Sequence, residues 1–175
     1  MIKYIFHIIL GWKIIGYSKL PTKCIVIAAP HTHWLDLFLG LAIRNSVGED
    51  IKFIGKKELF IFPLNYIMRY IGGIPVNRNS KTKNVDQIAT LIQNSNNFKL
   101  AISPEGTRKK VTKWKTGFYY IAKKTNIPIV CISLNFKKRK VSFFKPYKIT
   151  GDIDSDLKNL RMNFRGAIGK IPEYS

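Results

Sequence analysis

The stretch CIVIAAPHTHWLD, residues 24–36, sets six apolar or small residues before a proline and follows them with two of the chain's three histidines and an aspartate. A short unbroken apolar run is the pattern of a strand covered on both faces. Pro30 closes the run, and the periodic segment that begins near Trp34 reads as a helix. Strand, turn and helix make the repeating unit of an α/β domain, and open α/β sheets place their sites outside the carboxyl ends of the strands.

His31 and Asp36 are five residues apart, which rotates them by about 140° on a regular helix. They can meet only if His31 lies in the turn. An aspartate bonded to one imidazole nitrogen fixes the tautomer and raises the basicity of the other, so the pair has the make-up of a general base with its orienting group. His33 precedes Asp36 by three residues and shares a face with it if the helix starts early. The spacing leaves both histidines open.

Outward from this unit, β-rich runs alternate with helix-like segments. The strands expected are 24–29, 51–55, 73–77, 99–103, 127–134 and 141–149; the helices expected are 2–15, 34–46, 57–71, 82–96, 114–125 and 153–168. A chain of 175 residues buries one sizeable core. The fold class expected is therefore a single α/β domain, a mostly parallel or mixed sheet flanked by helices, with one N-terminal amphipathic or interfacial helix. Residues 1–20 form that apolar helical segment in this reading, and 21–175 the domain. The opening MIKYIFHIILGWKIIG is interrupted by Lys3, His7 and Lys13. It is too broken for a spanning helix and lacks the cleavage site of a signal peptide. Tyr4, Phe6 and Trp12 beside lysines suit a membrane interface, and packing on the domain suits them equally.

Thirty Lys and Arg against ten Asp and Glu give a net charge of +20, whereas solubility alone requires a magnitude of roughly 2–8. Between Lys99 and Lys148 stand 14 basic residues and one acid, Glu105. An anionic partner follows: nucleic acid, an anionic membrane surface, a phosphorylated metabolite or an acidic protein. Cys24 and Cys131 lie in apolar runs with no second cysteine or histidine at ligand spacing, so buried reduced thiols are expected and no metal site is implied.

Two further polar stretches follow expected strands. ISPEGTRKK, 102–110, offers a carboxylate in Glu105, a tight turn at Gly106, and Arg108 with Lys109 and Lys110 for a phosphate. GKKELFIFPLNYIMRYIGGIPVNR, 55–78, ends in a strand that leads to Arg78. Parallel strands would bring these clusters to one edge of the sheet.

On these residues the chain resembles the lysophospholipid acyltransferases, the glycerolipid enzymes that include the 1-acylglycerol-3-phosphate acyltransferases. The first family block, a histidine and an aspartate with four residues between, is similar to His31 and Asp36. The second matches Lys57, Leu59, Phe60, Pro63, Gly73 and Arg78. The third stands complete as Glu105, Gly106, Thr107 and Arg108, and the fourth, an apolar strand around a proline, is similar to NIPIVCISL with Pro128. The blocks keep the family order across 31–134. The chain departs from the pattern at Pro30 and His33, where the family often has asparagine and serine, and at Asn65, near a common glycine.

The resemblance implies phospholipid biosynthesis: transfer of an acyl group from acyl-CoA or acyl-ACP to the free hydroxyl of a lysolipid, by default 1-acylglycerol-3-phosphate, with no cofactor bound and no metal. It implies His31 as base, Asp36 as its orienting group, Arg78 and Arg108 on the acceptor phosphate, and Glu105 on Arg108 or an acceptor hydroxyl, with Gly106 and Thr107 in the same substrate-binding block. Lys57 is a candidate for the charge developing on the thioester oxygen. The location implied is cytoplasmic, peripheral on the cytoplasmic face of the inner membrane, where the basic surface meets anionic lipid. A nucleic-acid module accounts for the charge but leaves the His/Asp pair and EGTR without a role. An acyltransferase for a lysolipid without phosphate would use similar machinery with less need of Arg78 and Arg108. A silent lipid-binding relative would keep the fold but has no use for an intact His31 and Asp36.

Overall fold

The computed structural model describes residues 11–76 and 81–175, without the side chains of residues 81–83. Seven strands, β1 (Lys13–Ile15), β2 (Lys23–Ala29), β3 (Ile51–Lys56), β4 (Gly73–Val76), β5 (Phe98–Ile102), β6 (Ile129–Asn135) and β7 (Lys140–Phe143), form one sheet. Among the described residues five α-helices accompany them: α1 (Leu35–Val47), α2 (Leu64–Tyr70), α3 (Lys81–Gln93), α4 (Gly117–Thr125) and α5 (Ile153–Met162). The strand order is β1-β7-β6-β2-β5-β3-β4. Neighbours from β6 to β4 run parallel, and β7 reverses against β6. The carboxyl ends of β2, β3, β4, β5 and β6 therefore share one edge. The expected mixed α/β sheet is the observed one.

The central strands explain the apolar runs. Along β2, Cys24 and Val26 join a cluster with Leu39 and Ile43 of α1 and with Val130 and Ile132 of β6. Ile25 and Ile27 join the opposite cluster, with Ile88, Ile92, Phe118, Ile129, Cys131 and Leu160. Period-two alternation thus feeds two apolar layers, and each fully buried aliphatic side chain contributes about 1.5–3 kcal/mol. The two cysteines lie in different layers, both buried and unpaired. Burial pushes their thiols up to about 12 for Cys24 and about 11 for Cys131.

Four expectations need correction. Of the helix expected over 2–15, residues 1–10 lie outside the described residues, and Lys13–Ile15 form β1, whose β-branched Ile14 and Ile15 pair with Val141 and Ser142. The helix expected over 57–71 is broken: a 3-10 turn spans Lys57–Phe60, and α2 starts only after Pro63, which has no N–H for a continuous ladder. The strand expected over 141–149 stops at Phe143, and beyond Pro146 a single bridge joins Tyr147 to Ile129. The last helix is shorter than 153–168: it ends at Met162, and the chain turns at Gly166 (φ +72°).

Tyr147 lies in a buried network that closes this end of the fold. Asp156 accepts hydrogen bonds from the hydroxyls of Tyr119 (3.0 Å), Tyr147 (2.7 Å) and Thr150 (2.9 Å), and from the Thr150 N–H. Burial opposes the charge on Asp156, but these donors outweigh it and hold the carboxyl below its usual range.

Candidate active site

β2 ends at Ala29, and α1 begins at Leu35 with Trp34 as its N-cap, so the intervening PHTH is a turn and both histidines precede the helix. Asp36, in the first turn of α1, reaches back into it. One carboxylate oxygen, Oδ2, faces His31 Nδ1 at 2.9 Å and accepts the backbone N–H groups of Thr32 and His33, each at 2.9 Å. The carboxylate is nearly closed to solvent at 4% exposure, while the imidazole keeps 28%. Bonds to a charged acceptor are worth about 1.5–3 kcal/mol each, so the turn is held where the helix begins. With Asp36 accepting, Nδ1 carries the proton and Nε2 is the nitrogen left with a lone pair.

The two histidines are now distinguished. His31 pairs through its ring. His33 meets Asp36 only through its backbone, and its Nδ1 accepts the Leu35 N–H at 3.2 Å, a local cap for the first turn of α1.

The second strand end is that of β5, which pairs with β2 in parallel register. Glu105, three residues beyond β5, accepts the backbone N–H of His31 on Oε2 at 2.7 Å. Burial pushes its carboxyl up to about 7, over the opposing effect of the His31 N–H and with a contribution from the nearby Asp36 charge. Gly106 follows at φ +64°, a conformation open to glycine, and an added Cβ would come within 2.5 Å of Lys115 Cδ. Lys115 is anchored over this loop by its own N–H, which donates to Pro104 O at 2.7 Å. Thr107 is half-buried, with its hydroxyl accepting the Lys109 N–H at 3.4 Å, and Arg108 is exposed.

The second block has a packing explanation. Phe60 lies over two glycines on adjacent strands: an added Cβ would come within 2.8 Å of its ring at Gly55 and 3.0 Å at Gly73. The 3-10 turn thus seats on β3 and β4, leaving Lys57 exposed just past the end of β3. Arg78, expected beyond β4, lies outside the described residues. The structure joins His31, Asp36 and Glu105 by direct hydrogen bonds and puts Lys57 at the same sheet edge.

Two residues of the site carry no signal in the sequence. Lys115 stands ten residues after Glu105 within a crowd of cations that hides it. Thr32 reads as a spacer between two histidines, yet it is 1% exposed.

The acyltransferase family profile matches residues 12–135. A chloroplastic 1-acyl-sn-glycerol-3-phosphate acyltransferase of Brassica napus is 31% identical over 127 residues, 68% of this chain and 36% of that protein. The chloroplastic enzyme of the same description from Arabidopsis thaliana is 29% identical over 126 residues, 68% of this chain and 34% of its own length. The chain thus spans about a third of the length of these relatives. The crystal structure of the 1-acyl-sn-glycerophosphate acyltransferase PlsC from Thermotoga maritima shares the fold, with a TM-score of 0.62 at 20% identity over 93% of this chain and 74% of that one. The profile match takes in the turn at His31, the EGTR loop and the strand β6 that flanks them, and by it the chain belongs to the acyltransferase family.

Proposed function

We propose that the protein moves a fatty acyl group from acyl-CoA or acyl-ACP to the free hydroxyl of a lysophospholipid, with 1-acylglycerol-3-phosphate as the first candidate. The observation that carries this reading is the His31–Asp36 pair at the end of β2, tied to Glu105 of the neighbouring strand end. The acceptor hydroxyl oxygen attacks the thioester carbonyl carbon while His31 Nε2 takes its proton. Asp36 steadies the imidazolium. Collapse breaks the C–S bond, and the proton passes to the departing thiolate. The attack is direct. The buried thiols, raised by burial, are poor nucleophiles.

Lys57, Arg108 and Arg78 are the cations for the acceptor phosphate or for the charge that develops on the thioester oxygen. Lys115 joins them by its place across Gly106. Glu105 fixes the backbone of the catalytic turn in this scheme, a role that differs from orienting Arg108.

Peripheral attachment to an anionic membrane, at the cytoplasmic face of the inner membrane, fits the exposed apolar side chains of residues 61–70. Phe62 is 81% exposed and Tyr70 91%, with Ile61, Tyr66 and Ile67 also exposed and Lys56, Lys57 and Arg69 at the margins. Such exposure of adjacent large apolar side chains marks an interaction surface, and each nearby cation adds about 1 kcal/mol of attraction to an anionic leaflet. Among the described residues no helix is long and apolar enough to cross a membrane. The test is transfer of a radiolabelled acyl group from each thioester to a panel of lysolipids. Label in the diacyl product of lysophosphatidic acid supports the transfer reading, label in the product of a phosphate-free lysolipid alone reassigns the acceptor, and no labelled product from any acceptor removes the activity.

A further inference from the structure

We infer that the segment Gly166–Ser175 is a clamp on the catalytic turn, and that Thr32 is the positioning residue through which it acts. The inference rests on the assignment of His31 as base. Thr32 separates the two histidines, and its backbone N–H is one of the donors to Asp36 Oδ2. Its side chain points the other way, into the C-terminal segment. Oγ1 accepts the Ile171 N–H at 3.1 Å. An added Cβ on Gly169 would come within 2.5 Å of both Thr32 Cγ2 and Oγ1, so the Gly169 backbone lies directly against the Thr32 side chain.

The clamp is itself fastened to the sheet. Phe136, just past β6, donates its N–H to Ile168 O at 2.8 Å, and Asn135 Nδ2 donates to Gly166 O at 3.0 Å. Gly169 N–H donates to Ser175 Oγ at 2.8 Å, which closes the segment on itself. The path runs from the end of β6, across the adjacent end of β2, to the residue that follows His31. Asp36 holds the turn from the helix side and Glu105 from the β5 side. The C-terminal segment supplies the third side. A threonine that merely filled a hole would serve equally well as valine. Here the hydroxyl is the acceptor for a backbone donor, and valine leaves that donor unpaired.

The test compares the full chain with Thr32→Val, Thr32→Ser and Gly169→Ala. Two readouts are taken: backbone amide exchange at positions 32 and 33 by NMR, and kcat with the KM for each substrate. Exchange follows local opening without any reference to activity. Thr32→Val and Gly169→Ala are expected to speed exchange at these amides by about tenfold, with melting temperature within a few degrees of wild type and Thr32→Ser close to wild type. Where transfer is measured, kcat falls with exchange and KM holds. Unchanged exchange in Thr32→Val overturns the clamp, as does failure of Thr32→Ser to restore it. Faster exchange without any change in kcat overturns the positioning role alone. Wild-type transfer by His31→Ala instead removes the base assignment, an outcome that the exchange experiment does not share.

Discussion

Glu105 Oε2 accepts the His31 N–H at 2.7 Å, a direct bond between two motifs 74 residues apart. The bond exists because β2 and β5 are parallel neighbours, with Ile27 opposite Ile102, so their next residues emerge together. It places the EGTR carboxylate on the backbone of His31, the proposed base. Removing the carboxylate leaves the part-buried His31 N–H without this acceptor and frees the turn on one side. Glu105→Ala is expected to lower kcat by about tenfold to a hundredfold, while Glu105→Gln, whose amide oxygen still accepts, loses less. Steady-state kinetics on the three proteins checks the order.

The same carboxyl predicts a pH dependence. It titrates near 7 in the folded protein, against 4.5 for the ordinary group. Between these values the native state holds a proton that the unfolded chain has lost, so its contribution to stability falls as pH rises through this window. Denaturant midpoints measured from pH 4.5 to 8 should show the wild type losing stability relative to Glu105→Gln up to about pH 7, then a constant difference.

Gly106→Ala meets two obstacles, the φ of +64° and the Lys115 side chain at 2.5 Å. Left-handed backbone costs a residue with Cβ about 1–2 kcal/mol. The loop is expected to shift and carry Lys115 with it. A raised KM for a phosphate-bearing acceptor, with a smaller change in kcat, is the predicted result.

Asp156 predicts the opposite pattern. It is fully buried and accepts hydrogen bonds from three hydroxyl donors. Asp156→Ala strands the buried Tyr119 hydroxyl and is expected to cost about 1–3 kcal/mol. Because its carboxyl is held below the ordinary range, its contribution is present at neutral pH and lost as pH falls through the folded value. Thermal melts at pH 7 and at acid pH should differ between wild type and variant mainly at pH 7.

For the apolar segment, Phe62→Asp replaces an 81% exposed ring with a charge that an anionic leaflet repels. Weaker sedimentation with anionic vesicles, at unchanged melting temperature, is the expected outcome. Of the aromatics along this segment, Phe60 is half-buried over the glycines, whereas Phe62, Tyr66 and Tyr70 are exposed.

The central strands were legible because β2 and β6 are covered on both faces, which leaves the runs 24–29 and 129–132 without a polar side chain to blur them. The segment 57–71 was not: its apolar residues suggested one helix, but Phe60 is committed to the glycines of β3 and β4 and Pro63 interrupts the ladder. The His/Asp pair could be located but its partner could not, because the choice depends on whether the helix starts before or after His33. It starts at Leu35. Contacts such as Glu105 with His31 and Thr32 with Ile171 depend on strand order and chain return, which no local pattern encodes.

The assignment of the base rests on one comparison: kcat for acyl transfer by His31→Ala and His33→Ala, each checked for folding by its melting temperature. General-base assistance is worth about a hundredfold to ten-thousandfold, so His31→Ala should fall by that much while His33→Ala, which loses only a helix cap, stays within about threefold of wild type. Transfer retained by His31→Ala, or an equal loss in both variants, would contradict that assignment.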